Sequence, residues 1–319
     1  TTLHNNGYQV CIICPTGVGY EASYEYLEGI HIYRHRLPLE ASGAKGYLIE
    51  YPAALLAQLI LSIRIKVRHG FDVIHACNPP DLIFLVAWVF KPFGTRFVFD
   101  HHDLCPELYA TKFNKRGFLN RVMLLLERLT FKTADICIAT NESYKAIAVE
   151  RGQVPSGRVF VVRSGPSLER MRITEPRPEL KRGRRYLIGY VGVMGTQEGI
   201  DLLLAAVHHL LHGHQRNDFH VLLIGAGPAL EELQQMSKDL GLSEHVEFAG
   251  RVDDAYLVQA LNTADVCVNP ETPNEMNDKS TMNKIMEYMA LAKTLVQFNL
   301  TEGRKTAQEA SLYAKGEDI

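Results

Sequence analysis

The feature that most constrains this chain is an alternation that runs its whole length: short apolar segments of strand character separated by stretches with helical spacing. The strand-like runs are QVCIIC, IHIYR, DVIHAC, RFVFD, DICIAT and VFVV, followed by YLIGYVG, FHVLLIG, VEFAG, VCVNP and LVQFN. Helical patterns lie between them, as from Ala53 to Arg68, where Leu55, Leu56, Leu59, Ile60 and Ile63 recur at three and four residues. Strands separated by helices read as crossovers between parallel neighbours. The expected fold class is therefore α/β, built from doubly wound parallel sheets.

One break interrupts the alternation. Residues 169–185, ERMRITEPRPELKRGRR, hold two prolines and a dense set of arginines with almost no apolar side chains, the composition of an interdomain connection. It divides the chain into a domain over 1–170, a linker over 171–185 and a domain over 186–319. At 319 residues, 46% hydrophobic and 22% charged, the chain is long and apolar enough for two cores, which excludes a disordered or fibrous class. The opening TTLHNNGYQV reads as the end of a helix feeding a strand, so a first strand is expected to be missing. The final AKGEDI stops without a closing helix, so both ends read as cut.

The apolar stretches at 53–63 and 82–90 fall well short of the ~20 residues that span a bilayer, so an integral membrane protein is not expected. Six scattered cysteines, most of them inside apolar runs, fit a reducing cytoplasm rather than a disulfide framework. Cys11 and Cys14 have CxxC spacing. On a strand, however, residues three apart point to opposite faces, so this is not a zinc pair.

In doubly wound sheets ligands bind beyond the carboxyl ends of the strands, so the segments after each strand are the candidate chemistry. After RFVFD come His101, His102 and Asp103, then Glu107. His102 with Asp103 is the expected catalytic pair, an imidazole held in one tautomer by a neighbouring carboxylate; a polar loop with a capping histidine is the competing reading. In the second half, GVMGTQEG (192–199) follows a strand and precedes a helix. The glycines Gly192 and Gly195 let backbone amides approach an anion, as in a diphosphate cradle. IGAGP repeats the idea with Gly225 and Gly227, but Leu230 holds the third glycine position of a dinucleotide fingerprint, and a tight strand-to-helix turn explains it equally well.

The segment VCVNPETPNEMNDKSTMNKIMEYMALAKTLVQF reads as strand, long polar loop, helix and strand. Ser280 is the expected N-cap of a helix starting near Thr281, with Met282, Ile285, Met286 and Met289 as its buried stripe. Asn283 and Glu287 lie on another face. A carboxylate one and a half turns into a helix whose tip binds phosphate can hold a ribose diol; a solvated surface acid is the alternative.

With these residues assembled, the ordered set VFDHHDL, ICIATNES, YVGVMGTQEGID, LLIGAGP, VEFAGRV, ADVCVNPE and STMNKIMEYMALAK resembles the retaining family 4 glycosyltransferases of the GT-B fold, over about residues 7–315. Within that family it is similar to bacterial enzymes of surface-polysaccharide and O-antigen assembly. The resemblance implies a cleft between two domains, a nucleotide-sugar donor (a UDP-sugar favoured) on the C-terminal domain, and an acceptor on the N-terminal one. It also implies no metal, no cofactor, and front-face displacement in which the leaving phosphate takes the acceptor proton. His102 takes the place of the histidine near the reacting sugar, Arg251 that of the loop touching the base, and Glu287 that of the second acid of E-x7-E, which holds the donor ribose. The first acid is replaced by Lys279, with Asp278 beside it. The diphosphate-binding cations are replaced by Val193 and Glu198, so Lys279, Lys284, Arg251 and the amides near Ser280, Thr281 and Asn283 are the groups left to meet the diphosphate.

Charge sharpens the picture of the two halves. Residues 1–170 hold 19 Lys/Arg against 15 Asp/Glu, and the remainder 15 against 21, within a net charge of −2. That balance is not the footprint of a nucleic-acid binder. The positive half includes residues 112–132, where Lys112, Lys115, Arg116, Arg121, Arg128 and Lys132 alternate with Phe113, Phe118, Leu119 and Val122. Arg64, Lys66 and Arg68 end a second apolar helix. Such a helix suits an anionic membrane surface carrying a lipid-linked acceptor, and it equally suits a core helix with a solvated basic face. Two further functions share the architecture: a catalytically impaired homologue or subunit, and a nucleotide-sugar epimerase.

Overall fold

The computed structural model describes residues 1–17, 19–37, 43–113 and 117–315, with side chains described outside 43–49 and 111–113. In chain order the elements are α1 (Thr2–Asn5), β1 (Cys11–Pro15), β2 (Tyr24–Leu27), β3 (Ile30–His35), α2 (Gly43–Arg68), β4 (Val73–Cys77), α3 (Phe84–Phe90), β5 (Arg96–His101), α4 (Cys105–Phe113), α5 (Phe118–Thr133), β6 (Ile136–Ala139), α6 (Glu142–Glu150) and β7 (Val159–Val161). There follow β8 (Tyr186–Val191), α7 (Ile200–His212), β9 (Phe219–Ile224), α8 (Leu230–Asp239), β10 (Val246–Gly250), α9 (Asp254–Thr263), β11 (Val266–Asn269), α10 (Glu275–Lys279), α11 (Asn283–Ala290), β12 (Thr294–Phe298), α12 (Thr301–Ala307) and β13 (Ser311–Ala314). All eleven expected strands are present.

Two compact units result. The first gathers Thr1–Pro106, Arg116–Ala139 and Lys145–Phe160, and the second Glu107–Lys115, Thr140–Tyr144 and Val161–Ile319. The segment read as a connection, 171–185, lies within the second unit. There Met171 is buried, the Thr174 and Arg177 amides donate to Asn262 and Thr263 of α9, and Lys181 pairs with Asp265 at 2.8 Å.

The first unit carries two sheets instead of one. Strands β4-β5-β6-β7 form one and β1-β3-β2 the other, with β2 antiparallel to β3. Strand β2 escaped the sequence reading because its two-residue turn is Glu28-Gly29. Both residues have positive φ, 49° and 81°, the primed hairpin geometry usually announced by Asn-Gly or Asp-Gly. Strand alternation on β5 places Phe97, Phe99 and His101 on the buried face. Phe131 of α5 packs edge-on against Phe99 and His101, with ring centroids at 5.3 and 5.0 Å. Thr130 of α5 donates to the Asp81 carbonyl at 2.7 Å.

The second unit is a single six-stranded sheet of order β10-β9-β8-β11-β12-β13, with every pairing parallel. All six residues of β9 are buried, the mark of a strand covered on both faces. Leu222 and Ile224 pack toward α9 and α11, while Val221 and Leu223 pack toward α7 and α8. Parallel order with helical crossovers sends every strand-to-helix turn to the same edge of the sheet, and that edge is where the candidate groups gather.

Two buried titrating groups in the first unit have opposite pH signatures. Burial, helped by the charges of Arg151 and His102, pulls His101 down to about 3. Burial pushes Asp81 up to about 6 against the Asn78 amide. Between about pH 4 and 6 the unfolded chain protonates the imidazole but not the carboxylate, and the folded chain does the reverse, so their contributions to the pH slope cancel. Asp81→Asn removes one side. Its stability is then expected to rise with pH by up to about 1.4 kcal/mol per unit over that window relative to the unsubstituted chain, a difference that urea midpoints measured at several pH values will show.

Candidate functional site

Two constellations form, one in each unit. In the first, parallel strands β4 and β5 end side by side, with Cys77 opposite Asp100. Asp100 closes the expected strand RFVFD, and its carboxylate lies between two imidazoles: Oδ2 is 2.9 Å from His75 Nε2 and Oδ1 is 3.2 Å from His102 Nε2. Burial alone would raise this carboxyl group, but the two imidazoles outweigh it and hold the group below its ordinary value. Each histidine that donates Nε2–H to Asp100 keeps Nδ1 as an acceptor. The side chain of His102 is 45% exposed, so that acceptor is within reach of a ligand.

The expected partner of His102 was Asp103, and the structure corrects this: the pairing carboxylate is Asp100. Asp100 lies on β5, which ends at His101; His102 and Asp103 both follow the strand, and the His102 ring turns back onto Asp100. Burial raises the Asp103 carboxyl, and His102 opposes that shift. The loop itself is set by Asn78, a buried residue just beyond β4. Its Oδ1 accepts from the His102 and Asp103 amides at 2.9 and 3.1 Å, and its Nδ2 donates to Asp81 Oδ1 and the Asp103 carbonyl. The adjacent pair His101-His102 is thereby split, one in the core and the other in the candidate site.

In the second unit the loops after β8 and β9 pack backbone against backbone. The Gly192 amide donates to the Ile224 carbonyl and the Met194 amide to the Ala226 carbonyl, at 3.0 and 3.1 Å. Gly225 has φ +141°, and a Cβ there would lie 1.8 Å from the Gly192 oxygen; one at Gly227 would lie 2.5 Å from the Met194 oxygen. Gly225 and Gly227 are thus packing positions, which favours the tight-turn reading of IGAGP. Gly192 instead faces side chains: a Cβ there would meet the Tyr190 hydroxyl at 2.6 Å and Lys284 Nζ at 3.1 Å. Gly195 opens the short 3-10 turn Thr196–Glu198, and Gly199 caps α7 with φ +70° directly over the Pro270 carbonyl.

Lys284, in the first turn of α11, brings its ammonium to this loop. Nζ is 2.8 Å from Glu271 Oε1 and 3.0 Å from Glu198 Oε2, and 4.8 Å from the Tyr190 ring centroid. Burial would lower its pKa, but the two carboxylates and Tyr190 reverse this and hold it well above the ordinary lysine value. Burial, with Glu198 alongside, pushes Glu271 up to about 7 in spite of the ammonium. Burial likewise raises the Tyr190 phenol. Of the three cations named from the sequence, Lys284 is the one beside the glycine loop. Lys279 pairs with Glu275 at 3.4 Å on its own helix, and Arg251 is exposed just after β10.

The helix boundaries differ from expectation. Asn274 caps a five-residue helix, α10, inside the expected loop, accepting from the Met276 and Asn277 amides. Ser280 is therefore not an N-cap: it ends α10, donating to the Met276 carbonyl at 2.8 Å. Helix α11 begins two residues later, with Met282 at its N-cap and no side-chain cap. Its buried face is Ile285 and Tyr288, whereas Met289 is 37% exposed. Tyr288 stays inside because its hydroxyl accepts from the Val191 amide.

Thr281 Oγ1 and the Lys279 carbonyl both accept from Asn141 Nδ2, at 2.9 and 2.8 Å. Asp278 caps α12 through the Thr301 amide and hydroxyl, so it does not replace the acid missing at position 279. Asn283 is exposed. Glu287 lies one turn past Asn283, 3.6 Å from the Arg170 guanidinium, which also grips Asp254 through two bonds. Burial raises the Glu287 carboxyl and Arg170 restrains it.

Comparison with known proteins adds the following. Residues 1–165 match the family described as "Glycosyl transferase 4-like domain" and residues 185–318 the family "Glycosyl transferases group 1". The D-rhamnosyltransferase WbpZ of Pseudomonas aeruginosa is 38% identical over 90 residues, which is 28% of this chain and 21% of that protein, so the match spans about a fifth of the relative's length. Sucrose-phosphate synthase of Thermosynechococcus elongatus superposes with a TM-score of 0.73 at 19% identity, covering 99% of this chain and 78% of that one. Anabaena HepE, solved in complex with UDP-glucose, gives 0.65 at 17% identity, covering 91% and 72%. These likenesses agree with the expected GT-B fold class.

The glycine contacts have a direct consequence for stability. Gly225→Ala forces a Cβ into backbone oxygen at a positive φ and is expected to cost about 2–4 kcal/mol. At Gly195, with φ −107°, the new Cβ meets only the movable end of Gln197, so Gly195→Ala should cost under about 1 kcal/mol. Chemical denaturation of the two variants checks the contrast.

Proposed function

We propose that this chain, which belongs to the family 4-like, group 1 glycosyltransferases, transfers a sugar from a nucleotide-sugar donor to a lipid-linked or saccharide acceptor of cell-surface glycan, with retention at the anomeric carbon. The observation that carries the reading is the buried Lys284 ammonium set against the Gly192 loop. A glycine-flanked backbone, a fixed cation and the uncapped start of α11 are together what a departing diphosphate requires. A UDP-sugar is the favoured donor, supported by the resemblance in the sequence and by the bound UDP-glucose of the Anabaena protein.

In this reading the loop of Gly192 and Gly195, with Lys284, receives the diphosphate, and the Thr281 and Asn283 region lies at its edge. Glu287 accepts from the ribose hydroxyls, with Arg170 as its resting partner. Arg251, just past β10, is assigned to the base. His102, oriented by Asp100, is assigned to the reacting sugar on the strength of the resemblance. Leaving-group stabilisation dominates the chemistry, because cleaving the anomeric bond places charge on the diphosphate, and the phosphate oxygen accepts the acceptor proton. No dedicated base is then required, and the His102 imidazole acts by hydrogen bonding and polarisation.

The acceptor side is assigned to the first unit, and its basic surface to an anionic membrane. Lys112 and residues 113–116 of the basic stretch fall outside the residues whose side chains are described. Over α5 the buried face is Glu127, Thr130, Phe131 and Thr133, while Phe118, Leu119 and Leu125 are exposed beside Arg121, Arg128 and Lys132. No helix among the described residues is long and apolar enough to cross a membrane, so the attachment proposed is peripheral.

Calorimetric titration with UDP, GDP and ADP tests the donor; absence of binding by all three would sink the reading. His102→Ala and Asp100→Asn should lower kcat about 10–100-fold with little change in donor KM, whereas Glu287→Ala should raise donor KM by a similar factor. Equal effects on both constants in all three variants would overturn the roles. Retention on vesicles rich in phosphatidylserine at low salt, lost at high salt and in an Arg121→Glu/Arg128→Glu variant, is the expected membrane result.

A further inference from the structure

The Lys284 site holds one cation and two carboxylates, all but closed to water: the side chains of Lys284, Glu198 and Glu271 are 11%, 14% and 3% exposed. A diphosphate entering the cluster as it stands would meet both Glu198 and Glu271 across one ammonium in a poorly screened site. Displacing one of the two acids relieves that repulsion. The groups facing Lys284 are Glu198 of the β8–α7 loop, Glu271 beyond β11, Tyr190 of β8, and the backbone at Gly192.

The two carboxylates are not equivalent. Glu271 follows Pro270, whose carbonyl lies directly under Gly199, and it is the more deeply buried. It makes the shorter bond to Lys284, 2.8 Å. Glu198 ends the three-residue turn Thr196–Glu198 between two glycines, and besides Lys284 it meets the Glu271 carboxyl, which its charge opposes, and makes two long contacts, to the Tyr190 hydroxyl and Gln197 Nε2, each at 3.4 Å. Rotation of Glu198 into water breaks no backbone hydrogen bond and leaves Lys284 anchored by Glu271.

Resting on the donor reading above, we propose that Glu198 occupies, on Lys284, the place of the donor's diphosphate. Donor binding is then an exchange of one anion for another, with Glu271 as the fixed anchor. Glu198 is a positioning residue: it keeps the buried ammonium paired while the site is empty, and it sets how strongly an anion must bind in order to enter. A poorly charged ligand gains nothing from displacing it, so the exchange selects for the diphosphate over the nucleoside.

The test is calorimetric titration of the full chain with UDP, inorganic pyrophosphate and uridine, with circular dichroism to confirm folding of each variant. Glu198→Gln and, as a second variant, Glu198→Ala are expected to bind UDP and pyrophosphate about tenfold more tightly than the unsubstituted chain, with uridine affinity unchanged. Glu271→Gln and Lys284→Met are expected to bind UDP at least tenfold more weakly. If the unsubstituted chain binds UDP while folded Glu198 variants show no gain, or gain equally for uridine, the exchange is overturned and the donor reading stands. A Glu271→Gln gain equal to that of Glu198→Gln overturns the assignment of the departing group. If neither the unsubstituted chain nor the folded Glu198 variants bind UDP, GDP or ADP, the donor reading fails and the exchange fails with it.

Discussion

Taking a lysine ammonium out of water costs several kcal/mol unless it is paired, and Lys284 meets that requirement with groups from three separate parts of the second unit. Glu271 comes from the end of β11, Glu198 from the turn after β8, and the aromatic ring of Tyr190 from β8 itself. The ammonium is carried by α11, so one side chain ties the start of that helix to the ends of two neighbouring strands. The position of the glycine loop, the entry angle of α11 and the placement of Glu287 one turn further along all depend on it. Removing both carboxylates would leave a buried charge without compensation, which is why the pair of acids is more than a surface ornament.

The same edge shows how parallel topology turns packing into a site. Each strand of the second sheet runs in one direction and each return is helical, so the turns after β8, β9 and β11 are neighbours by necessity. The turns after β8 and β9 come so close that the Gly225 backbone touches the Gly192 carbonyl. Close approach of this kind leaves no room for a side chain, and it sets a buried cation where a strand-to-helix turn would otherwise hold only side-chain packing. In the first unit the corresponding economy is at Asn78, whose one amide orders two successive backbone N–H groups beside His102.

How much of this was legible in the sequence follows from the range of the interactions. Strands announce themselves by local composition, so all eleven expected runs are strands, while β2 was hidden by a Glu-Gly turn and β13, SLYA, offers no apolar run. The histidine of the site was readable because a strand end followed by two imidazoles is a local signal. Its partner was not: Asp100 lies two residues back on the strand, and His75 comes from the next strand, 25 residues away, so register decides the pairing and sequence proximity misdirects it toward Asp103. The cap at Ser280 failed for a related reason. Asn274 caps α10 through the Met276 and Asn277 amides, and Ser280 falls at that helix's end.

Lys284 illustrates the remaining limit. In sequence it is one of three basic residues near a helix tip, and nothing local separates it from Lys279 or Arg251. What separates them is burial. Lys279 is satisfied by a carboxylate four residues back on its own exposed face, a weak pairing in high dielectric. Lys284 is buried between acids drawn from elsewhere in the chain. A cation held in such a place has a fixed position, and solvent screens little of its attraction to the acids beside it. The absence of cations at Val193 and Glu198 therefore does not leave the glycine loop without positive charge. Lys284 on α11 puts a cation beside that loop, paired there with Glu198 and Glu271.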